Sequence, residues 1–172
     1  MTERVKTQRK WKTTTTAVAL LLCHFVLLAC SSIDCSLNPR VCIVYKLGGD
    51  VTPLHDSLTI STSRTSLQDT VLINRAVNVD SFLLPVSYNS PADVLYFRRS
   101  NSTGWNITDT VIVEKEDIPH FESVDCNPLF FHVIKNVRYT RLGIDSIVIN
   151  HKNVNYDASK PHLYVYFKNL YQ

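Results

Sequence analysis

The chain has 172 residues, 45% of them hydrophobic and 19% charged, enough for one domain around a single core. Its formal charge of +3 comes from 18 Lys and Arg against 15 Asp and Glu, but five of those cations and only one acid lie in the first 29 residues. Without that segment the balance is near −1, which removes any charge argument for nucleic acid or anionic lipid as a partner.

The chain begins MTERVKTQRKWK, with Arg4, Lys6, Arg9, Lys10 and Lys12, and then runs apolar from Ala17 to Ala29. A basic region followed by a short apolar one is the layout of an export signal. A span of hydrocarbon needs about 20 apolar residues, so this run is too short for a permanent transmembrane helix. It ends Leu27-Leu28-Ala29-Cys30-Ser31. An ordinary cut before Cys30 would place the bulky Leu27 where signal peptidase wants a small residue. Leu-Leu-Ala-Cys instead resembles the bacterial lipoprotein signal, in which the cysteine is diacylglycerated and becomes the new N-terminus. The expected organisation is therefore a signal peptide at 1–29, a lipidated tether at 30–39 beginning with Cys30, and one domain at 40–172. Each buried CH₂ adds about 0.8 kcal/mol of membrane affinity, so several acyl chains on Cys30 form a lasting anchor. With Cys23 lost and Cys30 acylated, Cys35, Cys42 and Cys126 remain in an oxidising compartment. Three thiols allow one disulfide and one leftover.

Short strand-like runs follow in order: VCIVYKL (41–47), DSLTI (56–60), DTVLI (69–73), DSFLLPV (80–86), ADVLYF (92–97), DTVIVEK (109–115), DSIVI (145–149) and HLYVYF (162–167). Each is rich in β-branched and aromatic residues and bounded by turn formers. Gly48-Gly49-Asp50 reads as a hairpin turn. Period 2 puts Leu58 with Ile60, Val71 with Ile73, Phe82 with Leu84, Val111 with Val113, Ile147 with Ile149, and Leu163 with Val165 and Phe167 on inner faces. No amphipathic helix of ten or more residues is evident. The class is all-β, and one apolar stripe per strand predicts a single Ig-like antiparallel β-sandwich of about seven to eight strands. The stretch 117–141 fits a strand face or a short helix equally well and is read as extended and irregular.

Five of these runs share one pattern: Asp, then Ser or Thr, then an apolar–any–apolar triplet. Asp and Ser or Thr bond to nearby backbone in turns, and the apolar residues that follow favour the pleat, so the pattern reads as a repeated strand start. Four copies also resemble the O-glycosylation acceptor of Bacteroidota envelope proteins, with Ser57, Thr70, Thr110 and Ser146 as the acceptor positions.

His120, Cys126 and His132, with Asp125 beside them, carry metal-ligand chemistry, but structural zinc sites show tighter pairs. The plainer reading is a disulfide cysteine flanked by packed histidines, with no metal, no catalytic residue and no cofactor. Four glycines and no phosphate-loop motif leave no nucleotide site. Asn101-Ser-Thr and Asn106-Ile-Thr read as a polar loop around Trp105. Tyr156, Tyr164, Tyr166 and Tyr171 give the C-terminal end an aromatic side, which is read as packing on an outer sheet face or edge.

PHFESVDC (119–126), FFH (130–132), IDSIVIN (144–150) with NVN (153–155), YVYF (164–167) and the middle stretch 78–97 together resemble a family of small lipoproteins of unknown function from Bacteroidota. That resemblance implies a lipidated Cys30, a cell-envelope location and no assigned activity. It also implies a disulfide between Cys35 near the tether and Cys126 after the FES stretch, with Cys42 an added cysteine left reduced in its apolar strand. Cys42–Cys126 is the alternative pairing. The function expected is a non-enzymatic binding or structural module, anchored in membrane lipid through Cys30 and facing the periplasm at the outer membrane. Its partner would be another envelope or outer-membrane protein. The competing expectation is a metal-binding or enzymatic protein using His120, Cys126 and His132.

Overall fold

The computed structural model describes residues 40–63, 69–123, 126 and 128–170. The expected signal peptide, Cys30 and Cys35 lie outside the described residues, as does Tyr171. The described part is all-β. Its ten strands are β1 (Cys42–Gly48), β2 (Ser57–Ser63), β3 (Asp69–Ala76), β4 (Ser81–Pro85), β5 (Ala92–Ser100), β6 (Asn106–His120), β7 (Leu129–Tyr139), β8 (Ile144–Ile149), β9 (Asn153–Val154) and β10 (Leu163–Phe167). They form a four-stranded sheet, in the order β4-β1-β10-β8, and a six-stranded one, β3-β2-β5-β6-β7-β9. No helix among the described residues is long and apolar enough to cross a membrane.

All eight runs picked out by composition are strands. The two additional ones raise the count above the seven or eight expected. The stretch read as irregular contains β7, whose Phe, Val, Ile and Tyr side chains suit the pleat and which pairs antiparallel along β6 from Val111↔Tyr139 to His120↔Leu129. A long partner edge settles what periodicity left open. β9 is two residues long, too short for any period, and is held by His132↔Val154 and Val133↔Asn153.

One pair departs from the antiparallel expectation. β1 and β10 run parallel, from Tyr45↔Leu163 to Gly48↔Tyr166. Nearly the whole domain separates them, so no hairpin fixes their relative direction, and side-chain alternation is the same for either. The Gly48-Gly49 turn is correspondingly no hairpin, since β1 pairs with β4 and β10 rather than with β2. Gly48 serves a close approach: a Cβ there would lie 2.7 Å from the Tyr166 ring.

The inner stripes meet between the sheets. Leu58, Ile60, Val111, Val113, Leu163 and Val165 are completely buried, and Tyr45 and Phe82 of one sheet pack edge-on against Phe97 of the other, with centroids 6.0 and 5.9 Å apart. Val71 breaks the expected pattern, at 53% exposure. β2 and β3 change register on both sides of Ile60 (Leu58↔Ala76, Ile60↔Ile73, Ser61↔Val71), and each extra residue in β3 reverses which side chains face inward. Leu72 and Ile73 pack on the core instead.

Charged residues also sit in this core. Arg99, 1% exposed, bonds Asp56 at 2.5 and 3.2 Å and donates to the Lys168 and Gly143 carbonyls, with Phe167 5.0 Å beneath its guanidinium. Asp109 accepts the backbone N–H of Leu142, Gly143 and Ile144 and the Thr140 hydroxyl, at 2.7–2.9 Å. The shared Asp-Ser/Thr pattern therefore has no single role. Asp56 and Asp80 immediately precede β2 and β4 and Asp69 opens β3, as strand starts should. Asp109 and Asp145 instead lie inside β6 and β8. At Asp109 a mid-strand carboxylate satisfies the turn that leads into β8.

Candidate functional site

β6 is fifteen residues long, but its pairing with β5 ends at Ala92↔Glu114. From Lys115 to His120 it has only β7 as a strand neighbour, with the Lys115 N–H donating to the Pro91 carbonyl at 2.9 Å. The far end of the sheet is thus a two-stranded ribbon, flanked by β9 on the β7 side. Alternation gives the ribbon one inner face, continuous with Val111, Val113 and Ile134, and one outer face.

On the inner face lies a polar knot. The buried Lys115 ammonium donates to the Ser90 carbonyl and to Asp117 Oδ1, both at 2.7 Å. His132, 3% exposed, places Nδ1 2.7 Å from the same Asp117 oxygen. Burial pushes His132 below the ordinary imidazole value, and the nearby Lys115 charge adds to that. The ring is therefore neutral at pH 7, with Nδ1–H donating to Asp117. Burial alone would raise Asp117, but hydrogen bonds from Lys115 and His132, with their charges, bring it below the usual carboxylate range. Every polar contact here is local, and the knot braces the ribbon where its sheet neighbour has ended.

The outer face and tip are aromatic. His120 stacks on Phe131 at 4.2 Å, Tyr156 meets Phe131 edge-on at 5.2 Å, and the Tyr156 hydroxyl donates to Glu122 at 3.0 Å. On the other face of the ribbon, the one that carries His132, Tyr88 stacks on Phe130 at 5.4 Å. Several of these groups remain largely open to solvent: Phe121 is 67% exposed, Tyr88 62%, and Ile118 and Tyr156 43% each. Exposed apolar side chains scattered singly are ordinary, whereas these are concentrated at one end of one ribbon. Tyrosine and phenylalanine supply large contact area at little conformational cost.

The residues singled out in the sequence are dispersed. His120 shares the outer face with Phe131, while His132, the next residue along β7, points to the inner one, so the two histidines lie on opposite faces of the ribbon. No group of three or more His, Cys, Asp or Glu side chains capable of holding a metal occurs among the described residues. Cys126 is disulfide-bonded, and its partner lies outside the described residues. Cys42 is a free thiol, half-buried rather than fully buried, and burial raises its pKa. Ser57 has its hydroxyl buried; Thr70 and Ser146 lie half-buried on the edge strands β3 and β8, and Thr110 lies in mid-sheet on β6. Tyr164 and Tyr166 are half-buried on the outer face of β10, away from the aromatic end. Lys115 and Asp117 went unread in the sequence. Their i, i+2 spacing would place them on one face, but only the β6–β7 register brings His132 to them.

The architecture defines a class: a small two-sheet, sandwich-like all-β domain with a ribbon projecting from one sheet. Residues 57–167 match DUF6452, a family of unknown function, and the chain belongs to that family. The match begins at the first residue of β2 and ends at the last of β10, so it takes in the ribbon and both of its faces. No curated protein and no solved structure matches the chain.

Proposed function

We propose that this protein is a non-enzymatic, lipid-anchored envelope module of the Bacteroidota lipoprotein type, and that the aromatic end of its β6–β7 ribbon docks another envelope protein. The observation that carries the reading is the exposed Ile118, Phe121 and Tyr156 around the stacked Phe131 and His120. Apolar surface concentrated on a braced projection favours a protein partner. The polar knot beneath serves to hold the ribbon rather than to perform chemistry. Cys30 carries the acyl chains, residues 30–39 tether the domain on the periplasmic side of the outer membrane, and the Ig-like arrangement of the two sheets serves as scaffold. A Cys35–Cys126 disulfide would close a loop ending in the turn that joins β6 to β7. On the chain-entropy view, closing a loop of that length stabilises by roughly 4–5 kcal/mol.

Hydroxyl-radical footprinting tests the docking. Phe121 and Tyr156 should be protected in intact envelopes relative to the detergent-purified chain, while Leu83 and Val148 are labelled equally in both. Equal labelling of Phe121 in the two preparations would overturn the docking surface. The anchor is tested by Cys30→Ser, which should accumulate as an uncleaved precursor that takes up no labelled palmitate. Normal cleavage and membrane retention of that variant would contradict it.

A further inference from the structure

Away from the ribbon, at the opposite flank of the six-stranded sheet, the outer face carries an open groove of about 730 Å³. Its floor is two cross-strand rungs between β2 and β5, Ser57↔Ser100 and Thr59↔Arg98. Its walls are the end of β3 around Arg75, His55 before β2, and the turn at Asn101. That volume is within the roughly 300–1,000 Å³ range of small-molecule sites.

The groove exists because β3 is bent. Opposite the single residue Thr59, β3 places two, Asn74 and Arg75, and a second extra residue, Leu72, lies between Val71 and Ile73. Arg75 sits in the left-handed region at φ 48°, and Asn78 does the same at φ 54°. Neither is glycine, so both conformations carry strain. The Arg75 N–H, lost to the ladder by the bulge, donates to Thr59 Oγ1 at 3.2 Å, and Asn78 Oδ1 lies 2.8 Å from His55 Nδ1. Side-chain bonds thus hold the irregular backbone in one shape. Bulges of this kind bend a strand and re-aim side chains, and here the result is a second guanidinium over a groove that already holds Arg98.

The chemistry of the lining is one-sided. Among the described residues neither Arg75 nor Arg98 has a carboxylate within ion-pair distance, although Arg138 and Lys135 elsewhere on the sheet do. Among the described residues that line the groove the one acid, Asp56, is held by the buried Arg99. Around the two guanidiniums stand the hydroxyl residues Thr59, Ser100 and Ser102 and the Asn101 amide.

We propose that this groove binds a small hydroxylated oxyanion, a carboxylate or phosphate monoester carrying hydroxyl groups. Arg75 and Arg98 clamp the oxyanion, and Thr59, Asn101 and Ser102 read the hydroxyls. Guanidinium suits such groups because its planar fork donates two parallel hydrogen bonds. The site stands on different residues from the aromatic docking surface, and either assignment can fail without the other.

Titration calorimetry and amide NMR on the detergent-solubilised full chain test it, with glucuronate, glucose 6-phosphate, glucose and inorganic phosphate as probes. The two hydroxylated anions should bind about tenfold more tightly than glucose or inorganic phosphate and shift the amides of Thr59, Arg75 and Arg98. Arg98→Gln should weaken them by about tenfold or more, and Arg98→Lys by less. Arg75→Gly, which suits the left-handed backbone and removes the guanidinium, should act like Arg98→Gln while leaving the fold intact by its NMR spectrum. Equal binding of glucose, equal binding of inorganic phosphate, or unchanged affinity in a folded Arg75→Gly would each overturn the proposal.

Discussion

Two carboxylates on one strand, Asp109 and Asp117, have been put to different uses. Asp109 is 2% exposed, and its partners are three backbone N–H groups and one hydroxyl, all in the turn between β7 and β8. Asp117 is 22% exposed on its side chain, and its partners are the side chains of Lys115 and His132. The first joins the two sheets where β6 has neighbours on both sides. The second braces the strand where one neighbour has gone. The core end thus consumes its polar groups in backbone, which fixes a fold, while the ribbon end spends side chains on side chains and keeps its apolar groups outside. The projecting end is the one proposed to meet a partner.

The largest effect should follow from breaking the core end. Asp109→Ala strands three N–H groups in an apolar setting at roughly 1–3 kcal/mol each, partly relieved by water entry. A loss of about 3 kcal/mol or more in urea denaturation is expected, a large fraction of a small domain's stability. A loss below about 1 kcal/mol would show that the 140–144 turn finds other acceptors.

The next effect is acid sensitivity. Burial holds both His132 and His162 below the ordinary value of 6.5, and His162 accepts the Val44 N–H at Nδ1, so that nitrogen carries no proton. The unfolded chain takes up these protons near pH 6.5 and the folded chain only lower. The stability they contribute is therefore complete above that value and declines as the pH falls beneath it. Asp117 is depressed as well, so its contribution persists below pH 5 and is lost only as the pH falls through its folded value. Urea midpoints between pH 7 and 5 should fall with acidification, and His132→Gln should make the slope shallower. An unchanged slope would mean that His132 is protonated in the folded state.

Much of this fold was legible in the sequence, because period 2 and turn residues are local signals. Leu58 with Ile60 and Val111 with Val113 announced their buried faces. What was not legible depends on partners distant in sequence. Val71 was placed on the wrong face because a bulge shows no signature in DTVLI, and the β1–β10 direction depends on residues more than a hundred apart. The shared Asp-Ser/Thr pattern hid different roles for the same reason: Asp109 and Asp56 read alike until their partners in the 140–144 turn and at Arg99 are in view. The site was less legible still. His120 and His132 drew attention as a pair, whereas the structure puts one in an aromatic stack outside and the other in a polar knot inside.

The central claim, that the ribbon's aromatic end meets a protein, is tested most directly by site-specific photo-crosslinking in living cells. A photoreactive residue at Phe121 should give one discrete adduct, and the same residue at Val148, which is also exposed but on β8 of the other sheet, should give none. Phe131→Ser, placed in the same chain, should abolish the adduct while the variant keeps a cooperative urea transition, since Phe131 is only partly buried where it packs against the core. An absent adduct at Phe121, identical adducts at both positions, or an adduct indifferent to Phe131→Ser would contradict the account.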